Sequence, residues 1–206
     1  MRKPLTEFIG TFFLVLTIGL ATPPFAPIAI GAALMVMVYM GGHVSGAHYN
    51  PAVSLAARCV GALSTADFVA YVVAQVAGAS VAALAVRSIL ADTFAPAPAS
   101  YATWQSALLV EVLFTFALAL VVLNVAVAKK AQGNSYFGVA IGMTVMVGAF
   151  AGGGISGGAF NPAVGIGPTL VHTCWGDGSM THLWLYLVGP LAGGALAAVV
   201  FQVQEG

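Results

Sequence analysis

Charge is what this sequence has least of. Its 206 residues include six lysines and arginines and six aspartates and glutamates, 6% of the chain, where a soluble domain carries about 25%. So few ionic side chains cannot cover a water-facing surface, which excludes a soluble globular protein. Because the two signs cancel, there is no basic face for nucleic acid and no polybasic stretch for anionic headgroups. Partners are therefore to be sought among membrane lipids, other subunits and permeating solutes. Cysteine is almost missing too: Cys59 and Cys174 allow one disulfide at most, which excludes a stapled scaffold. The topology below sets them on opposite membrane faces, as free thiols. Of the four histidines, His172 and His182 have the wrong spacing for a helical metal pair and no cysteine or carboxylate cluster beside them. Neither a metal nor a cofactor is expected.

What fills the chain instead is apolar: 60% of its residues are hydrophobic, and its mean hydropathy is +1.00. Crossing roughly 30 Å of hydrocarbon takes about 20 helical residues. Six stretches meet that length, near 5–21, 27–44, 66–90, 104–128, 136–152 and 181–203. Two further apolar pieces, at 51–62 and 162–173, suit only half a bilayer. Thr22-Pro23-Pro24, the loop from Pro96 to Ser100 and Gln132-Gly133-Asn134-Ser135 punctuate the spans. No loop has room for a soluble domain, so the expected unit is one transmembrane domain, 1–206, with halves of approximately 1–100 and 101–206. Arg2 and Lys3 ahead of an apolar run have the form of a secretory signal, but the repeat between the halves argues that the first helix is retained. With both termini cytoplasmic, Arg2, Lys3, Arg58, Lys129 and Lys130 obey the rule that cations stay inside. Only Arg87 breaks it. The expected location is the cell membrane.

One segment occurs twice, 111 residues apart. Gly42 to Val53 contains Ser45-Gly46-Ala47-His48-Tyr49-Asn50-Pro51-Ala52, and Gly153 to Val164 contains Ser156-Gly157-Gly158-Ala159-Phe160-Asn161-Pro162-Ala163. Asparagine is among the best helix N-caps, and proline is welcome at the first helical position, where its missing N–H costs nothing. Asn50 and Asn161 are thus expected to cap two half-helices. Glycines 41, 42, 46, 152, 153, 154, 157 and 158 read as non-helical lead-in strands, since irregular backbone at membrane depth survives only when buried or lining a wet cavity. Glu7 and Glu111 open matching stretches, each followed four residues later by Thr and then Phe. Three spans separate corresponding points, so the second half enters the membrane upside down, an inverted repeat whose broken segments converge at the functional site. The two half-helix N-termini would then face one spot, opposing cations with their dipoles and offering the asparagine amides to a neutral solute.

These features resemble the aquaporin and aquaglyceroporin family, the major intrinsic proteins. The resemblance rests on the six spans, Glu7 and Glu111, the two Asn-Pro-Ala motifs and Val188-Gly189-Pro190-Leu191 in the last span. It implies an all-α membrane protein of six transmembrane helices and two re-entrant half-helices. The implied function is that of a passive channel, not an enzyme, for water and small neutral solutes, assembled as a homotetramer. Glu7 and Glu111, as membrane-embedded carboxylates, are functional candidates by default; the resemblance makes them acceptors that hold the dipping loops, with His48 a buried prop. A proton relay would need neighbours in a chain, and none is visible in the sequence. His43 is a candidate gate by protonation.

In water-selective relatives an arginine follows the second Asn-Pro-Ala; here that residue is Val164. Carrying the other filter positions across by distance from the asparagines gives Ile30, Ala149 and Gly158. This quartet has no charge, no ring and no side-chain donor. Loss of a guanidinium removes bulk and five fixed donors, so the expected constriction is wider and less demanding, with glycerol, urea, ammonia, hydrogen peroxide or undissociated metalloid acids as candidate solutes. Gly165 stands where glycerol facilitators usually have an aspartate. Protons and ions are expected to stay excluded by the caps. The rivals are a coupled secondary transporter, which also uses inverted repeats and broken helices, an intramembrane enzyme, for which no catalytic constellation is present, and a structural junction protein.

Overall fold

A computed structural model of the chain describes residues 1–205. Eight α-helices account for almost all of it: α1 Arg2–Leu20, α2 Ala26–Ser45, α3 Pro51–Cys59, α4 Thr65–Leu90, α5 Trp104–Val122, α6 Phe137–Ser156, α7 Pro162–Trp175 and α8 Leu183–Glu205. Six are long and apolar enough to span a bilayer. The other two, α3 and α7, have nine and 14 residues. Among the described residues there is no strand. The protein is therefore a multi-pass membrane protein, and its even number of spans puts both ends on one side.

The halves repeat in packing as well as in order. Helix α1 lies along α4 as α5 lies along α8, and α2 crosses α6 between the halves. Small residues make these approaches possible, as in other helix pairs within lipid. At the α2–α6 crossing, a Cβ on Gly31 would sit 2.7 Å from the carbonyl oxygen of Gly142, and one on Gly142 would sit 2.5 Å from that of Gly31. Gly78 is pressed likewise against the carbonyl of Phe8, and its counterpart Gly193 against that of Val112. Large apolar side chains such as Val73, Leu109, Leu113 and Val199 point outward, where a soluble protein would place charge.

The lead-in strands are shorter than the glycines suggest. Glycines 41, 42, 152, 153 and 154 belong to the last turns of α2 and α6. Each helix runs on to its serine and stops at a left-handed glycine, Gly46 with φ 87° and Gly157 with φ 91°. The irregular stretches are thus only Gly46 to Asn50 and Gly157 to Asn161. At membrane depth a helix satisfies its own backbone, and that outweighs the roughly 1 kcal/mol helix penalty of each glycine.

Candidate functional site

Both asparagines cap their helices. Asn50 Oδ1 accepts from the Ala52 amide at 2.8 Å, and Asn161 Oδ1 from the Ala163 amide at 2.9 Å, with Pro51 and Pro162 opening the helices. Their amide groups then reach across the repeat. Asn50 Nδ2 donates to the Phe160 carbonyl at 2.8 Å, and Asn161 Nδ2 to the Tyr49 carbonyl at 2.8 Å. Each cap therefore ties its own half-helix to the lead-in strand of the other, and the positive ends of α3 and α7 meet.

The backbone of each strand is held by one buried carboxylate. Glu7 accepts from Ser45 Oγ (2.6 Å), the His48 amide (3.0 Å), the Tyr49 amide (2.7 Å) and Gln75 Nε2 (2.8 Å). Glu111 accepts from Ser156 Oγ (2.7 Å), the Ala159 amide (3.0 Å) and the Phe160 amide (2.7 Å). Both are fully buried, neither has a cationic partner among the described residues, and their stabilisation is this set of oriented donors. Tyr71 and Tyr186 close the symmetry by donating to the carbonyls of Ser45 and Ser156, each at 2.6 Å.

Glu7 does have neighbours in a chain. Gln75 Nε2 also donates to Ser54 Oγ at 3.0 Å, and Ser54 Oγ lies 3.1 Å from His48 Nδ1. A carboxamide in the middle makes this a positioning network, and it fixes the His48 ring, which stands nearly perpendicular to Tyr71 with centroids 5.4 Å apart. His48 is half-buried and lines a cavity, so it is less enclosed than a prop within the core.

That cavity, of about 510 Å³, runs between α1, α2, α5, α6 and the two strands. Asn50 and Asn161 are in its wall, and so are Ile30, Ala149, Gly158 and Val164. Positions chosen by counting from the two asparagines thus come together around one lumen. Its lining contains no Lys, Arg, Asp or Glu. Gly153 and Gly154 open onto it with nothing within 4 Å of where a Cβ would stand, and the Gly154 carbonyl accepts from Tyr101 Oη at 2.6 Å. His43 is elsewhere: it is exposed on the last turn of α2 and lines neither this cavity nor the smaller one described below.

The family model described as major intrinsic protein matches residues 1–201. The chain belongs to the major intrinsic protein family. Among the relatives, Aquaporin NIP1-4 of Oryza sativa subsp. japonica is 38% identical over 215 residues, covering 98% of this chain and 77% of its own. Glycerol uptake facilitator protein-like 6 of Lactiplantibacillus plantarum is 37% identical over 222 residues, covering 99% and 98%. Among solved structures, the aquaglyceroporin from Plasmodium falciparum superposes with a TM-score of 0.85 over 97% of this chain and 94% of that one, at 22% identity. That last likeness is one of fold. As a member of the family, the chain is a passive transmembrane channel for water and small solutes.

Several residues of the site act in ways that the sequence does not mark. Tyr49 and Phe160 matter through their backbones, whose amides bond the carboxylates and whose carbonyls receive the asparagines. Their positive φ values, 50° and 49°, mark strained turns that a non-glycine residue seldom adopts. Gln75 and Ser54 carry no repeat signal, because Glu111 lacks a fourth donor. Cys59 and Cys174 are both free and exposed. No group of three or more potential metal ligands occurs among the described residues.

Proposed function

We propose that this member of the family conducts water and small uncharged solutes through the cavity between the two caps, past an apolar ring that screens them by polarity. The ring is Ile30, Ala149, Gly158 and Val164, and the observation that carries the reading is that all four share one uncharged lumen with both asparagine caps. A ring without donors imposes no hydrogen-bonding match on a solute. It admits molecules wider than water, such as glycerol, urea, ammonia, hydrogen peroxide or an undissociated metalloid acid. The names of the relatives, aquaporin and glycerol uptake facilitator, agree with that range.

Charge is rejected at the caps. Two facing half-helix N-termini carry about half a positive charge each, and they oppose a cation or a proton passing along a water file, while a neutral molecule meets only the amides of Asn50 and Asn161. Glu7 and Glu111 hold the strands in this geometry and take no part in conduction. The whole chain works as one channel domain of two inverted halves, with both termini cytoplasmic in the cell membrane, lipid around its outward apolar side chains and a homotetrameric assembly. It performs no chemical step. Stopped-flow light scattering on proteoliposomes, comparing water, glycerol, urea and ammonia, tests the range. Saturable uptake driven by an ion gradient would instead indicate a coupled transporter.

A further inference from the structure

The outer ring and the caps do not divide the lumen: all six of their side chains or backbones wall one continuous cavity. A division does occur, but deeper. A second cavity of about 430 Å³ lies toward the face that carries the termini, where Lys3 and Asp67 are paired at 3.0 Å. Two residues, His48 and Val122, wall both cavities. We propose that the neck between His48 and Val122 is the size-determining constriction of this channel, and that the apolar ring is a wider outer mouth. The proposal rests on the reading of the first cavity as the conduction path.

The chemistry of the neck is one-sided. His48 is immobilised by Ser54 at Nδ1, by Tyr71 against its ring and by Glu7 at its backbone amide, which leaves Nε2 as the polar atom available to a solute. The other residue shared by the two walls contributes an isopropyl group, from Val122. A solute there keeps one hydrogen bond and loses the rest, so the neck discriminates by width and by the desolvation a molecule can bear. Val122 is followed by an unusual backbone. It ends α5 at the point where the helix widens into a π turn, Leu123–Val127, closed by a 2.8 Å bond from the Ala128 amide to the Leu123 carbonyl. Asn124 Nδ2 bonds the Leu120 carbonyl and Gln204 Oε1, each at 3.0 Å, and Asn134 Nδ2 bonds the Val125 carbonyl at 2.7 Å.

The test compares Val122→Ala, Val122→Phe and Val164→Ala with the wild type in proteoliposomes, using water, glycerol and the four-carbon polyol erythritol as probes. The neck predicts that Val122→Ala raises erythritol permeability relative to water about threefold or more, that Val122→Phe lowers water permeability about tenfold, and that Val164→Ala raises the erythritol-to-water ratio less than Val122→Ala does. Val122→Ala without that gain overturns the proposal, as does Val164→Ala with an equal or larger one. Should Val122→Phe fail to fold, the two alanine variants still decide. A folded wild type that passes none of the probes refutes the channel reading itself, whereas a permeable wild type indifferent to Val122 refutes only the neck.

Discussion

Replacing Glu111 should unfasten the second lead-in strand while leaving the apolar envelope of the protein intact. In Glu111→Leu the Ser156 hydroxyl and the amides of Ala159 and Phe160 all lose their acceptor in a buried setting. Each buried donor left alone costs about 1–3 kcal/mol, so three give about 3–9 kcal/mol, comparable with the about 5–15 kcal/mol that holds a typical domain together. Glu111→Gln is milder, because Oε1 can keep Ser156 and Ala159 while the new NH₂ faces the Phe160 amide, one donor lost for about 1–3 kcal/mol. At about 2–4 °C per kcal/mol for a chain of this size, the glutamine variant should melt about 2–12 °C below wild type. The leucine variant should fall further or fail to assemble. Glu7 adds Gln75 as a fourth donor, so Glu7→Leu should cost at least as much as Glu111→Leu. The assay is thermal unfolding of purified protein in detergent, followed by permeability of whatever folds. A glutamine variant with an unchanged midpoint, or a leucine variant that folds and conducts normally, would refute the idea that these carboxylates organise the pore.

Val164→Arg should place a cation and five donors on the ring, lowering glycerol and urea permeability more than that of water; equal permeability to the larger solutes would show that residue 164 is not in the filter. Two glycine substitutions separate packing from lumen. A Cβ at Gly194 would stand 2.5 Å from the Ala52 carbonyl oxygen of α3, so Gly194→Ala should destabilise by about 1–3 kcal/mol, read as a lower melting midpoint. Gly153→Ala meets nothing within 4 Å, and should keep or slightly raise stability while reducing glycerol flux, because its methyl group enters the lumen. The neck variants at Val122 complete the set, with polyol size as the readout.

The spans were legible because lipid demands about 20 apolar helical residues, and that demand writes itself into composition. The caps were legible for a local reason: Asn-Pro can do little else as well as start a helix. Counting from those two fixed points was enough to bring Ile30, Ala149, Gly158 and Val164 to one cavity. Where local preference and membrane physics conflict, the sequence misleads. Gly152 to Gly154 look like a helix breaker, yet they remain helical, and Gly152 lets α6 approach Val110 and Phe114 of α5. Gln75, Ser54 and Val122 were invisible for a different reason, since their roles exist only once distant helices are packed. The π turn after Val122 has no sequence signature at all, the five residues from Leu123 to Val127 being ordinary for a transmembrane helix.

Water, glycerol and proton flux measured side by side in one preparation of proteoliposomes is the most direct trial of a neutral-solute pore guarded by two facing helix caps. Water and glycerol should cross well above the rate of protein-free vesicles while an internal pH dye reports proton entry at the lipid background. Proton flux rising together with water, or solute flux no faster than bare lipid from correctly folded protein, would contradict it.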